Sequence, residues 1–249
     1  MIFHTFGNKA NKAVVLIHGM LTPWQIWNTA IEKFKDDYYV IVPELDAHTE
    51  EEPTVFNSVE EEADKIREYI LKELDGQVFL LAGLSMGGRI AATIAKCKDL
   101  KIENLVLDGA PLANINGLMK FIFKKNYNSI IYRSKARDTK VLESAKKDFL
   151  PEERIEDYLK IADNMGPDSV NAIIDTVFED FGFEAYKNGM RILFMHGTKG
   201  NESVARKCAL RMKELNPQTE IRCFEGFAHA EMACFKPEQW VKEVEGFIS

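Results

Sequence analysis

Gly83-Leu84-Ser85-Met86-Gly87 is the segment whose residue types and spacing could do chemistry together. An apolar run, Val78 to Ala82, precedes it, and a helical stretch, Arg89 to Lys96, follows. Gly-x-Ser-x-Gly between a buried strand and a helix is the setting that projects a serine from a sharp turn. Side chains two positions either side of the serine would collide in such a turn, so glycine is needed there. The free N–H groups and positive dipole at the start of the next helix suit an oxyanion. The chemistry expected is nucleophilic acyl transfer. A serine hydroxyl needs a base to act as nucleophile. His229, in Gly226-Phe227-Ala228-His229, is the histidine of the final third that a loop after a strand could swing over Ser85.

The elements that must position these residues alternate along the chain. Ala13 to Ile17 reads as a fully buried strand, and Tyr38 to Val42 as a second, stopped by Pro43. Val78 to Ala82, Leu105 to Leu107, Arg191 to Met195 and Glu220 to Phe224 supply four more. Helices are predicted from Pro23 to about Lys35, and from a capping box at Ser58-Val59-Glu60-Glu61 to Gly76. Two more follow, one with Val204, Cys208, Met212 and Leu215 inward, the other opened by Pro237. This alternation predicts an α/β fold: a mostly parallel central sheet with helices on both faces. It breaks between Leu112 and Asn188, where the patterns are helical throughout. The expected organisation is a core of residues 1–111 and 189–249 with a helical cap inserted at 112–188.

Composition narrows the function classes. A chain of 249 residues with 46% hydrophobic and 29% charged residues can bury a large core without disulfides or metal. The net charge of −7 gives an overall field that repels nucleic acid and anionic membrane. The four cysteines, at 97, 208, 223 and 234, form no Cys-x-x-Cys pair or zinc spacing and read as free thiols of a reducing compartment. No basic, apolar leader opens the sequence, and no apolar stretch reaches the roughly 18 residues of a membrane span. The expected location is cytoplasmic. Oligomeric state is left open.

With these residues in order, the sequence resembles the α/β-hydrolase superfamily. The likeness rests on His18-Gly19 after the first buried strand, the Ser85 turn, Leu105-Val106-Leu107-Asp108-Gly109-Ala110, His196-Gly197, and His229. It implies a triad in the order Ser, acid, His. It also implies an oxyanion hole from the backbone N–H groups of Met20 and Met86. No metal and no cofactor are implied. His18 and His196 each end a strand before glycine and are read as structural.

The family's usual acid position, in His-Gly-x-x-Asp, falls on Gly200 here. Two substitutes remain open. Glu202 lies two residues on and could reach His229 with its longer side chain. Asp108 ends the preceding strand, on the edge that faces the site. Asp108 is placed ahead, because the first turn of a helix already explains an acid at Glu202.

The cap is charged asymmetrically. Residues 112–147 hold nine Lys/Arg against two Asp/Glu, and 148–188 hold three against eleven. Mutual pairing of the two halves is the plainer account; attraction of an anionic substrate by Lys124 and Lys125 is the sharper one. Trp24 and Trp27 either line the pocket mouth or pack the first helix. Trp24, Met119, Phe123 and Phe178 are carried as substrate-binding candidates. The expected function is a serine hydrolase of a small-molecule ester or thioester. The same triad could serve an aminopeptidase or a C–C bond hydrolase. A catalytically weak small-molecule receptor is the non-enzyme alternative.

Overall fold

The computed structural model describes residues 1–186, 189–200 and 202–249. Seven strands form one sheet: β1 (Ile2–Phe6), β2 (Ala13–Ile17), β3 (Tyr39–Glu44), β4 (Gln77–Leu84), β5 (Lys101–Asp108), β6 (Arg191–His196) and β7 (Thr219–Cys223). Their order is β1-β3-β2-β4-β5-β6-β7. All neighbours are parallel except β1, which pairs antiparallel to β3. The core helices are α1 (Asn28–Phe34), α2 (Val59–Glu73), α3 (Met86–Ile94), α8 (Glu202–Leu215), α9 (Glu231–Phe235) and α10 (Pro237–Ile248). Four others, α4 (Gly117–Lys135), α5 (Thr139–Asp148), α6 (Ile155–Asn164) and α7 (Pro167–Val177), lie in sequence between β5 and β6.

Physical causes are local and visible. All five residues of β2 are buried, because a central parallel strand is covered on both faces. Ser58 accepts a hydrogen bond from the Glu61 N–H and starts α2, as the capping box requires. The chain runs from β2 to one side of the sheet and, after β3, back to the other through β4. That reversal leaves a crevice at the carboxyl ends of β2 and β4, where ligands of such sheets bind.

Three features differ from the sequence expectation. β1 is a seventh strand, and being a half-exposed edge it lacks a buried apolar run. The stretch from Pro23 divides into a 3₁₀ turn, Trp24–Trp27, and α1. The short α9 follows His229 directly. The cap boundary expected at Asn188 lies outside the described residues.

Candidate active site

Ser85 sits between β4 and α3 with φ 53° and ψ −116°. A non-glycine residue held there is strained by of order 1–3 kcal/mol and persists only where its surroundings impose it. They do so through the flanking glycines. A Cβ on Gly83 would lie 2.2 Å from the Gly87 carbonyl oxygen. A Cβ on Gly87 would lie 2.3 Å and 2.4 Å from the carbonyl oxygens of Ile17 and His18, at the end of β2. The turn is therefore clamped against the neighbouring strand. The Ser85 N–H donates to the Asp108 carbonyl at 2.8 Å and extends the β4–β5 ladder by one rung.

His229 reaches this serine from the loop after β7. The Ser85 hydroxyl donates to His229 Nε2 at 2.8 Å, and His229 Nδ1–H donates to Glu202 Oε1 at 2.7 Å. Glu202 Oε2 accepts the Gly197 N–H at 2.6 Å. A carboxylate only accepts, so it fixes the imidazole proton on Nδ1 and leaves Nε2 free to take the serine proton. Burial pushes the Glu202 carboxyl upward, but the hydrogen bond and charge of His229 and the Gly197 N–H outweigh it. The group is held below the ordinary glutamate value.

The structure places Glu202, rather than the preferred Asp108, at hydrogen-bond distance from His229. Asp108 Oδ2 accepts Trp240 Nε1–H at 3.1 Å, and Trp240 in turn packs on Trp27 with ring centroids 4.7 Å apart. Burial raises the Asp108 carboxyl to about 7, with the Glu202 charge pushing the same way. Two ionised carboxylates side by side repel, so the carboxyl without the histidine bond takes the neutral form more readily. The backbone beside it matters more. Gly109 has φ +60°, and a Cβ there would lie 2.9 Å from His229 Cε1 and 3.0 Å from Nδ1. The imidazole lies flush on this glycine. The sequence marked Gly109 only as part of an Asp-Gly pair ending a strand, not as the seat of the imidazole.

Met86 is the first residue of α3, where an N–H has no acceptor within the helix. Met20 follows Gly19, whose built Cβ would lie 3.3 Å from that of Ser85, so the two turns touch. Two buried histidines hold the Met20 turn. His18 Nε2 accepts the Leu45 N–H at 3.2 Å, and its Nδ1–H donates to the Gly19 carbonyl at 2.9 Å. His48 Nε2 accepts the Leu21 N–H at 3.0 Å, and its Nδ1–H donates to the Asp46 carbonyl at 3.0 Å. Burial lowers His18 to about 3 and His48 to about 4, so both rings are neutral at neutral pH. Sequence reading missed His48; its loop carries no motif. His196 Nδ1–H donates to the Gly197 carbonyl at 2.7 Å.

The four substrate-binding candidates separate. Phe123 on α4 and Phe178 at the end of α7 meet, with centroids 5.5 Å apart. Met119 is exposed on α4. Trp24 stacks on His4 at 4.1 Å and tilts against Phe6 at 6.0 Å. Its ring is thus taken up by β1, the strand the sequence did not reveal, and no contact joins it to Ser85 among the described residues. A cleft of about 420 Å³ opens beside Leu21, walled by Tyr127, Ile130, Val141 and Phe149 of the α4–α5 region. The two charged halves of the inserted helices pair in part, through Lys124–Asp175, Arg137–Asp163 and Lys146–Glu152, each at 2.6 Å.

Comparison with known proteins agrees with this architecture. An α/β-hydrolase family protein of Desulfitobacterium hafniense is similar over 100% of both chains, with 23% identity and a TM-score of 0.79. A structure from work on carboxylesterases of the thaumarchaeon Nitrososphaera gargenis aligns with 99% of this chain and 93% of its own, at 17% identity and TM-score 0.74. A thermophilic esterase of Thermogutta terrifontis aligns with 99% and 92%, at 20% identity and TM-score 0.74. No curated protein sequence matches the chain. No helix among the described residues is long and apolar enough to cross a membrane. The family model of the α/β hydrolase fold matches residues 12–171, from β2 through the serine turn into α7, and the chain belongs to the α/β-hydrolase family.

Proposed function

We propose that the protein is a serine hydrolase that cleaves a carboxylic ester or thioester of a small molecule. The observation that carries this reading is the unbroken relay from Ser85 Oγ through His229 to Glu202, at 2.8 Å and 2.7 Å. Ser85 Oγ attacks the acyl carbon while His229 Nε2 takes its proton. Glu202 stabilises the imidazolium that forms. The N–H groups of Met20 and Met86 donate hydrogen bonds to the developing oxyanion. The protonated imidazole then gives its proton to the departing alcohol or thiol, leaving an acyl group on Ser85. Water, deprotonated by His229, releases the acid and restores the serine.

The inserted helices act as a cap that keeps the acyl-enzyme from bulk water. The cleft beside Leu21 adjoins the Met20 turn, and its apolar walls suit an apolar acyl group. Esterases are among the proteins that share this architecture, and an ester or thioester is the substrate class proposed here.

Intact-mass labelling with a fluorophosphonate probe tests the proposal. One adduct is expected on the wild type and none on Ser85→Ala or His229→Ala. An unlabelled wild type, or an adduct that survives Ser85→Ala, refutes it.

A further inference from the structure

Outside the active site, α4 carries a face that no described part of the chain covers. Its inner side packs on α6 and α7, burying Ile131 and Ser134. Its outer side runs Leu118, Phe121 with Ile122, Lys125, Ser129 and Tyr132, with each step after the Phe121–Ile122 pair of three or four residues, and therefore in one stripe. Leu118 is 70% exposed, Phe121 64%, Ile122 38% and Tyr132 75%. Isolated exposed apolar residues are ordinary, but three large ones adjoining on one helical face are not.

The charge on the same helix is one-sided. Lys120, Lys124, Lys125, Arg133 and Lys135 lie on it, with no Asp or Glu. Lys124 pairs with Asp175 and Arg133 with Asp138. Lys125 and Lys135 enter no ion pair among the described residues. An exposed Leu/Phe/Ile stripe flanked by cations combines apolar contact with attraction to anionic headgroups.

We propose that the outer face of α4 docks on an anionic phospholipid bilayer. The helix lies in the headgroup plane, with Leu118, Phe121 and Ile122 at the acyl boundary and Lys125 and Lys135 against phosphates. Tyr132 sits at headgroup level, where its ring and hydroxyl are both accommodated. The net charge of −7 does not prevent this. At physiological ionic strength charges are screened over about 8 Å, so the surface that touches decides the sign of the interaction. A second copy fits the same face less well: helix against helix sets Lys125 and Lys135 toward a partner helix that carries no acid. The proposal does not depend on the role of Ser85.

The test is flotation of the full chain with vesicles of phosphatidylcholine alone, and of phosphatidylcholine mixed with phosphatidylglycerol. The wild type is expected to bind the anionic vesicles and to release in high salt, with far weaker binding to the neutral ones. The Leu118→Ser/Phe121→Ser double variant should bind at least about tenfold more weakly. Lys125→Glu, which reverses one charge, should also lose about tenfold or more. Both variants should keep the wild-type melting temperature and rate on a soluble p-nitrophenyl ester, since these side chains face solvent. Ser85→Ala should bind as the wild type does, so failure of the hydrolase reading leaves this one standing. The proposal is overturned if the wild type ignores anionic vesicles, binds neutral ones equally, or binds undiminished in the double variant. A concentration-dependent dimer that the double variant dissolves would also overturn it, by assigning the face to a second copy.

Discussion

Glu202→Gln should abolish most of the hydrolytic rate, and the reason lies in the bonds the carboxylate makes. Glu202 accepts from two donors at once, His229 Nδ1–H at 2.7 Å and the Gly197 N–H at 2.6 Å. A glutamine amide has one oxygen, so it can accept from only one of them. If the oxygen faces His229, the amide NH₂ is driven against the Gly197 N–H. If the NH₂ faces His229, the imidazole must move its proton to Nε2, where it can no longer take one from Ser85. Removing the acid of a serine–histidine pair by this kind of isosteric change lowers turnover by about 10⁴, or roughly 5.5 kcal/mol of transition-state stabilisation. Asp108→Asn is the matched control. Its oxygen can still accept from Trp240 Nε1–H, and a carboxyl raised to about 7 is already half neutral at pH 7. Its rate should stay within about threefold of wild type. Steady-state hydrolysis of a p-nitrophenyl ester, with circular dichroism to confirm folding, measures both. Equal losses in the two variants, or a Glu202→Gln enzyme near the wild-type rate, would refute the assignment.

Gly109→Ala should lose at least about tenfold in turnover, because its methyl would press on the His229 ring at 2.9 Å. Gly182→Ala shares the positive φ (+58°) but meets only Lys96 Nζ at 3.9 Å, so it reports the backbone cost alone and should keep its rate; equal losses would mean the ring contact is irrelevant. Gly87→Ala should destabilise the fold by about 3 kcal/mol or fail to fold, since its methyl meets two carbonyl oxygens of the neighbouring strand, and a thermal melt within a degree or two of wild type would contradict this. Asp108→Asn should raise stability increasingly with pH. The folded pKa of about 7 lies above the unfolded 3.8, so the stability the acid contributes is full below 3.8 and lost as pH rises through 7. The variant escapes that loss, worth a few kcal/mol at most. Its melting temperature relative to wild type should climb between pH 5 and pH 8, and a constant difference would show that Asp108 is not carried neutral.

The local patterns singled out Ser85 and the frame around it. Gly83, Ser85 and Gly87 sit at fixed short spacing because one turn must clear the strand beside it, and that constraint is written in consecutive residues. The buried strands were legible for a similar reason: a central parallel strand is apolar at every position. β1 was not legible, since an edge strand with alternating exposure has no such run, and with it went the true partners of Trp24. The choice between Glu202 and Asp108 belongs to the tertiary structure. Both residues end or follow neighbouring strands on the same edge of the sheet, and each has an adequate local explanation. What separates them is three-dimensional: Trp240, 132 positions away, occupies Asp108, while Gly109 makes room for the imidazole and Gly197 turns its N–H to Glu202. A sequence motif records what one turn requires of its own residues, but a hydrogen-bond partner brought in by a distant helix leaves no mark at the position it serves.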